Sequence, residues 1–174
     1  MQEKISCAFT GHRPQSFPWK YDEMAQECLF LKAVLTKEIE KLIDREVIEF
    51  FSGLAQGVDI WAAQIVLAQR EKNPILKLHC VLPCRDQAKK WGASAQKCHQ
   101  NILEQANSVI CLSESYYDGC MLNRNRYLVE HSSILLAVYN GSWRSGTGMT
   151  VRYAQKLGRE IIRIDPKTGK VANL

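Results

Sequence analysis

The sequence lacks any uncharged apolar run long enough to cross a bilayer: the best stretch, residues 132–140, falls far short of the ~20 residues a helix needs. It also lacks the opening of a secreted protein. Its first seven residues place Glu3 and Lys4 where a signal peptide would need a basic patch and then a long apolar run, so a cytoplasmic protein is expected. Cysteine is present in the wrong pattern for a disulfide framework. Seven is an odd number, and Cys7, Cys28, Cys80, Cys84, Cys98, Cys111 and Cys120 are scattered through apolar segments, as reduced thiols used as small hydrophobes would be. Cys80 and Cys84 have no second Cys or His pair at zinc-finger spacing, so no structural metal and no cofactor is expected. Basic runs are missing too. The formal charge of +5 comes from dispersed residues, which favours anionic partners mildly without preferring nucleic acid to a small phosphate ligand. There is no repeat and no linker, and 174 residues fit one domain over 1–174.

What is present is alternation. Short β-rich runs at 5–10, 47–51, 76–82, 108–112, 134–139 and 160–164 are separated by helical patterns. Met24, Cys28, Leu31, Leu35, Ile39 and Leu42 recur at helical spacing and predict a long helix over 22–44. Further helices are expected at 57–69, after Asp86 as a cap, at 124–130, and from the Gly/Ser-rich stretch 140–148 through Leu157. Residues 113–123 read as a long exposed loop and 165–174 as a polar tail. The expected fold is α/β: a Rossmann-like, doubly wound, mainly parallel sheet with helices on both faces.

Ligands of such sheets sit outside the carboxyl ends of the strands, and three segments there are unlike core. In Thr10-Gly11-His12-Arg13-Pro14, Gly11 lets backbone approach a ligand and Arg13 offers a fork of donors suited to phosphate; the plainer alternative is a tight turn with solvated side chains. In Ser52-Gly53-Leu54-Ala55-Gln56-Gly57-Val58-Asp59, two glycines bridge a strand and a helix whose first N–H groups suit a phosphate, while Asp59 equally suits the helix dipole. This segment has neither the Gly-Lys-Ser/Thr of a P-loop nor the GxGxxG fingerprint. In Gly141-Ser142-Trp143-Arg144-Ser145-Gly146-Thr147-Gly148, Ser145 and Thr147 offer hydroxyls to phosphate or ribose, or simply cap the next helix. Among the tryptophans, Trp61 and Trp91 fit helix core faces, and Trp143 is the one placed to stack on a base.

The motifs Thr10-Gly11-His12-Arg13, Ser52 to Asp59 and Ser145-Gly146-Thr147-Gly148-Met149-Thr150-Val151, in that order along nearly the whole chain, resemble the YpsA-like family of the SLOG superfamily. The resemblance implies a Rossmann-like domain that senses or processes nucleotide-derived ligands. The middle motif is also similar to the Ser-Gly-Leu-Ala-x-Gly-(Ile/Val)-Asp segment of DprA-type DNA-processing proteins. More distantly, the stretch 121–148, with Arg124, His131 and Ser145-Gly146-Thr147, resembles LOG-type phosphoribohydrolases, which use an Arg and a Glu placed shortly after a Gly-Gly-x-Gly-Thr loop. Arg124 matches the arginine, but Gly148-Met149-Thr150-Val151 supplies no Glu, and that carboxylate is what would steady an oxocarbenium-like charge.

The functional expectation is binding or sensing of a nucleotide or a derivative of one. Its ligand residues would be Gly11, His12, Arg13, Ser52, Gly53, Gly57, Asp59, Arg124, Ser145, Gly146 and Thr147, with phosphate near Gly53 to Gly57 and Gly146-Thr147. Two rivals stand beside it. One is hydrolysis of a nucleotide or its N-glycosidic bond, with Asp59 or Glu114 as the missing carboxylate. The other is single-stranded DNA binding of DprA type, which the scattered basic residues do not favour. A homo-oligomer is compatible with this sequence, and a membrane partner is not expected.

Overall fold

β1 (Ser6–Gly11) is buried along its whole length except at Gly11, because it pairs in parallel on both sides, with β2 (Glu49–Ser52) and with β5 (Ile134–Val138). A computed structural model describes residues 5–174; residues 1–4, including the Glu3 and Lys4 of the signal-peptide reading, lie outside the described residues. β3 (Lys77–Leu82), β4 (Ser108–Cys111) and β6 (Glu160–Ile164) extend the parallel sheet, and β7 (Val171–Asn173) closes it antiparallel to β6. The strand order is β4-β3-β2-β1-β5-β6-β7.

Side chains alternate across the pleat, so neighbouring residues feed different cores. Cys7, Phe9 and Phe50 face a layer built from α1 (Gln26–Asp44), α2 (Val58–Lys72) and α3 (Ala93–Gln105), where Leu31, Leu35, Trp61 and Ile102 are buried. Ala8, Phe51, Leu135 and Ala137 face the other layer, made by Leu128 of α4 (Cys120–Glu130) and Val151 and Ala154 of α5 (Gly146–Lys156). The doubly wound α/β arrangement is therefore present, with helices on both faces. Among the described residues no helix is long and apolar enough to cross a membrane, and all seven cysteines are free thiols.

Four local expectations need correction. α1 begins at Gln26 rather than at residue 22, because Asp22 folds back on the chain, accepting from the Met24 N–H at 3.1 Å, and Met24 is 77% exposed instead of buried. Asp86 caps no helix: residues 84–91 turn, and α3 starts later with Gly92 at its N-cap. α4 starts at Cys120, inside the stretch read as loop, after Gly119 takes a left-handed conformation (φ +93°). The polar tail holds a strand, because Asp165 accepts from the Lys167 and Thr168 N–H groups and Gly169 takes φ +68°, a tight reversal that returns β7 to the free edge of β6.

Candidate functional site

The chain winds from β1 outward to β4, then returns to lay β5 on the other side of β1. At that reversal the loops leaving β1 and β5 diverge to opposite faces, which is where open α/β sheets leave a crevice. A cavity of about 420 Å³ lies there. Eight of the eleven expected residues line it: Gly11, His12 and Arg13 from the end of β1, Asp59 from the first turn of α2, Arg124 from α4, and Ser145, Gly146 and Thr147 at the start of α5.

The other three do not line it. Ser52 is wholly buried, its hydroxyl donating to the Asp59 carbonyl at 2.8 Å and accepting from the Leu54 N–H at 3.2 Å, so it braces the β2–α2 turn. A side chain at Gly53 would run into the Arg124 guanidinium, so this glycine makes room for arginine. Gly57 has φ +93°, and a Cβ there would stand 3.0 Å from the His12 carbonyl oxygen and 3.1 Å from Pro14 Cδ. It locks the β1 loop onto α2 and lines a neighbouring cavity of about 340 Å³. A β-branched residue at Gly57 would therefore strain the backbone itself.

His12 ties two loops together. It is buried, and its Nε2 accepts from the Asn140 N–H at 3.0 Å, which requires a neutral ring with its proton on Nδ1. Loss of solvation holds its pKa below the ordinary histidine value, as it does for His79 and His99. These rings stay neutral in the folded protein while the unfolded chain takes up protons below about pH 6.5. Stability is accordingly expected to be full above that pH and to fall as pH drops towards the folded-state values. Urea midpoints recorded between about pH 7.5 and 5 check this; a midpoint constant or rising over that window contradicts it.

Arg124, 3% exposed, donates through Nη1 to the Gly53 carbonyl and through Nε to Asn125 Oδ1 at 2.8 Å. Asp59, 6% exposed, accepts from the Ala55 N–H at 3.4 Å. Burial pushes the Asp59 carboxyl up, and the charges of Arg124 and Arg13 pull against that shift. Burial likewise pulls Arg124 down, with Asp59 opposing. A buried carboxyl group and a buried guanidinium thus share the floor of the cavity.

The start of α5 forms another wall. Ser145 is the N-cap, accepting from the Gly148 N–H at 3.0 Å and donating to the Ser142 carbonyl at 2.6 Å. The Gly146 and Thr147 N–H groups have no partner within the helix by position, and its first turn has no acidic residue. Thr147 is buried, and its hydroxyl makes no hydrogen bond among the described residues. A Cβ at Gly146 would meet nothing within 4 Å, so this glycine is not demanded by packing.

Several other side chains fall elsewhere. Glu114 is 81% exposed and paired with Arg85 at 2.8 Å beyond β4, and Glu130 accepts from the Tyr153 hydroxyl at 2.6 Å. Neither lines the cavity; Asp59 is the carboxylate that does. His131 closes α4, its Nδ1 2.8 Å from the Tyr127 carbonyl, as a helix-end residue would. Trp143 is 61% exposed, with the Arg152 and Arg144 guanidinium groups over its ring at 5.0 and 5.8 Å, and it does not line the cavity. Trp91, read as a core residue, instead lines the cleft next to it. Thr10 and Ala55 of the motifs, with Gln15, Ser16, Met121 and Asn125, complete the cavity, and only nearness to the motifs marks the last four in the sequence.

Comparison with known proteins agrees with this fold. The chain is 32% identical over 153 residues to the SPbeta prophage-derived protein YoqJ of Bacillus subtilis, covering 79% of this chain and 89% of that protein. It is 30% identical over 136 residues to a UPF0398 protein of Bacillus pumilus, covering 76% and 72%. Among solved structures it is similar to DNA processing protein A from Helicobacter pylori, whose single-stranded DNA binding mode is described, with a TM-score of 0.62 and 21% identity. That match covers 93% of this chain and 66% of the other. The corresponding protein of Streptococcus pneumoniae gives a TM-score of 0.61 at 18% identity, covering 92% and 50%, so the chain spans only part of either protein. The family model YpsA, described as the YspA SLOG family, matches residues 7–168, and the chain belongs to that family.

Proposed function

We propose that the cavity between β1 and β5 binds a nucleotide or a nucleotide-derived ligand, its phosphate against the Gly146 and Thr147 N–H groups and the Arg13 guanidinium. The observation that carries this reading is convergence: eight residues from four separated segments line one cavity at the strand-order reversal. A helix N-terminus without a local carboxylate favours an anion, and Arg13 adds a fork of donors. The Asp59 carboxyl occupies the start of α2, and its oxygens suit sugar hydroxyls better than phosphate.

A thermal-shift screen of mono- and dinucleotides tests the reading. A ligand at a hundred times its dissociation constant adds roughly 2.7 kcal/mol, about 5–11 °C for a domain of this size. Arg13→Ala should weaken binding of any ligand so found by about tenfold or more. No shift from any phosphate-bearing nucleotide contradicts it.

A second reading, hydrolysis of the N-glycosidic bond, draws on one observation: the Asp59 carboxyl lines the cavity and is held above the ordinary carboxylate range by burial. Its test is chromatography of nucleoside monophosphates incubated with the protein. Base release abolished by Asp59→Asn supports an enzyme; intact substrate leaves a binding protein.

A further inference from the structure

Past Arg13 the cavity continues. A second chamber of about 610 Å³ shares Arg13, Gln15, Ala55 and Met121 with the first, so the two form one cleft with a cation where they join. Each chamber alone falls within the ~300–1,000 Å³ of ordinary small-molecule sites, so the joined cleft is larger than a phosphate or a sugar phosphate needs. The second chamber differs in chemistry. Trp91 and Tyr21 line it with Gln56, Ser94 and Lys90, and none of its lining residues is acidic.

Trp91 is held in place rather than loosely exposed. Its indole meets His99 edge-on, with ring centroids 5.2 Å apart and an interplanar angle of 85°. His99 Nε2 lies 3.1 Å from Gln87 Oε1, and Gln87 Nε2 donates at 2.9 Å to the Gly53 carbonyl. Because the Gln87 amide nitrogen is committed to Gly53, its oxygen is the acceptor, and the neutral His99 donates from Nε2. The same Gly53 carbonyl accepts from Arg124 on the floor of the first chamber. One polar chain therefore fixes both the arginine of the first chamber and the indole of the second.

We propose that the Trp91–Tyr21 chamber is the base subsite of a nucleotide whose phosphate sits in the first chamber, the sugar passing Arg13 between them. This rests on the nucleotide reading above and adds the ligand class, a nucleotide with its base intact rather than a sugar phosphate. Aromatic rings take the flat face of a base, and neutral amide and hydroxyl groups suit its hydrogen-bonding edge.

Calorimetry of the whole protein with ribose 5-phosphate and with the four ribonucleoside monophosphates tests it. The tightest of the four should exceed ribose 5-phosphate by about 10- to 100-fold. Trp91→Ala should remove that advantage while leaving ribose 5-phosphate binding unchanged, and Trp91→Phe should keep most of it. Ribose 5-phosphate binding as tightly as every nucleotide overturns the base subsite alone, and this comparison needs no variant. Trp91→Ala lowering both affinities equally, or neither, also overturns it. Binding of none of these ligands to the unmodified protein overturns both the subsite and the reading it rests on.

Discussion

Replacing Arg124 with methionine is expected to lower stability by about 1–3 kcal/mol, a fall in Tm of roughly 2–12 °C for a domain of this size. The methionine keeps the apolar volume, so the loss is electrostatic. It leaves Asp59 buried without its neighbouring cation and removes one of the two donors to the Gly53 carbonyl. The pH dependence separates this cause from poor packing. Without Arg124 the Asp59 carboxyl moves further above its unfolded value, so the variant should regain stability as pH falls and the folded state takes up that proton first. Adding Asp59→Asn should recover at least half of the loss, because neither charge is then stranded. Denaturant melts of both single variants and the double measure the coupling. A Tm for Arg124→Met within about 2 °C of the parent would show that the two groups do not depend on each other.

The second large effect is on binding. Gly146→Val should change folding stability by no more than about 0.5 kcal/mol, since a Cβ there meets open space at an exposed position at the start of α5. Nucleotide affinity should nevertheless fall by about 100-fold or more, roughly 2.7 kcal/mol, because the branched side chain fills the approach to the free N–H groups. Gly148→Ala is the opposite case. Its Cβ would stand 2.5 Å from the Ser142 carbonyl oxygen and 2.8 Å from that of Trp143, so it should cost folding stability, about 1–3 kcal/mol. Two glycines two residues apart are thus kept for different reasons, one for space outside the chain and one for contacts within it.

That contrast also marks how far the sequence could be read. The six parallel strands, the two-sided layering and the placement of three polar segments at one sheet edge follow from periodicity, because alternating burial writes itself into residue order. The reversal that sets Thr10 to Arg13 beside Ser145 to Thr147 depends on β5 pairing with β1, a contact between residues more than 120 apart that local periodicity does not encode. Glycine purpose was not legible. Gly11 packs against Val58, with a Cβ falling 2.5 Å from the valine Cβ, and Gly53 shelters Arg124, yet both look in the sequence like ligand-contacting glycines. Helical spacing puts Trp91 on a core face, whereas the chain turns through residues 84–91 and frees it to line the cleft. The strand β7 was missed because it is short and polar, and its signal is the turn before it rather than the strand itself.

On the proposed reading, the first turn of α5 and Arg13 hold the phosphate of a nucleotide at the reversal between β1 and β5. Calorimetric titration of the unmodified protein and of Gly146→Val with the tightest-binding ribonucleoside monophosphate is the test. Saturable binding to the first and a loss of about 100-fold in the second, with the two proteins equally stable to urea, is the expected result. Equal affinities, or no binding to the unmodified protein, would contradict it.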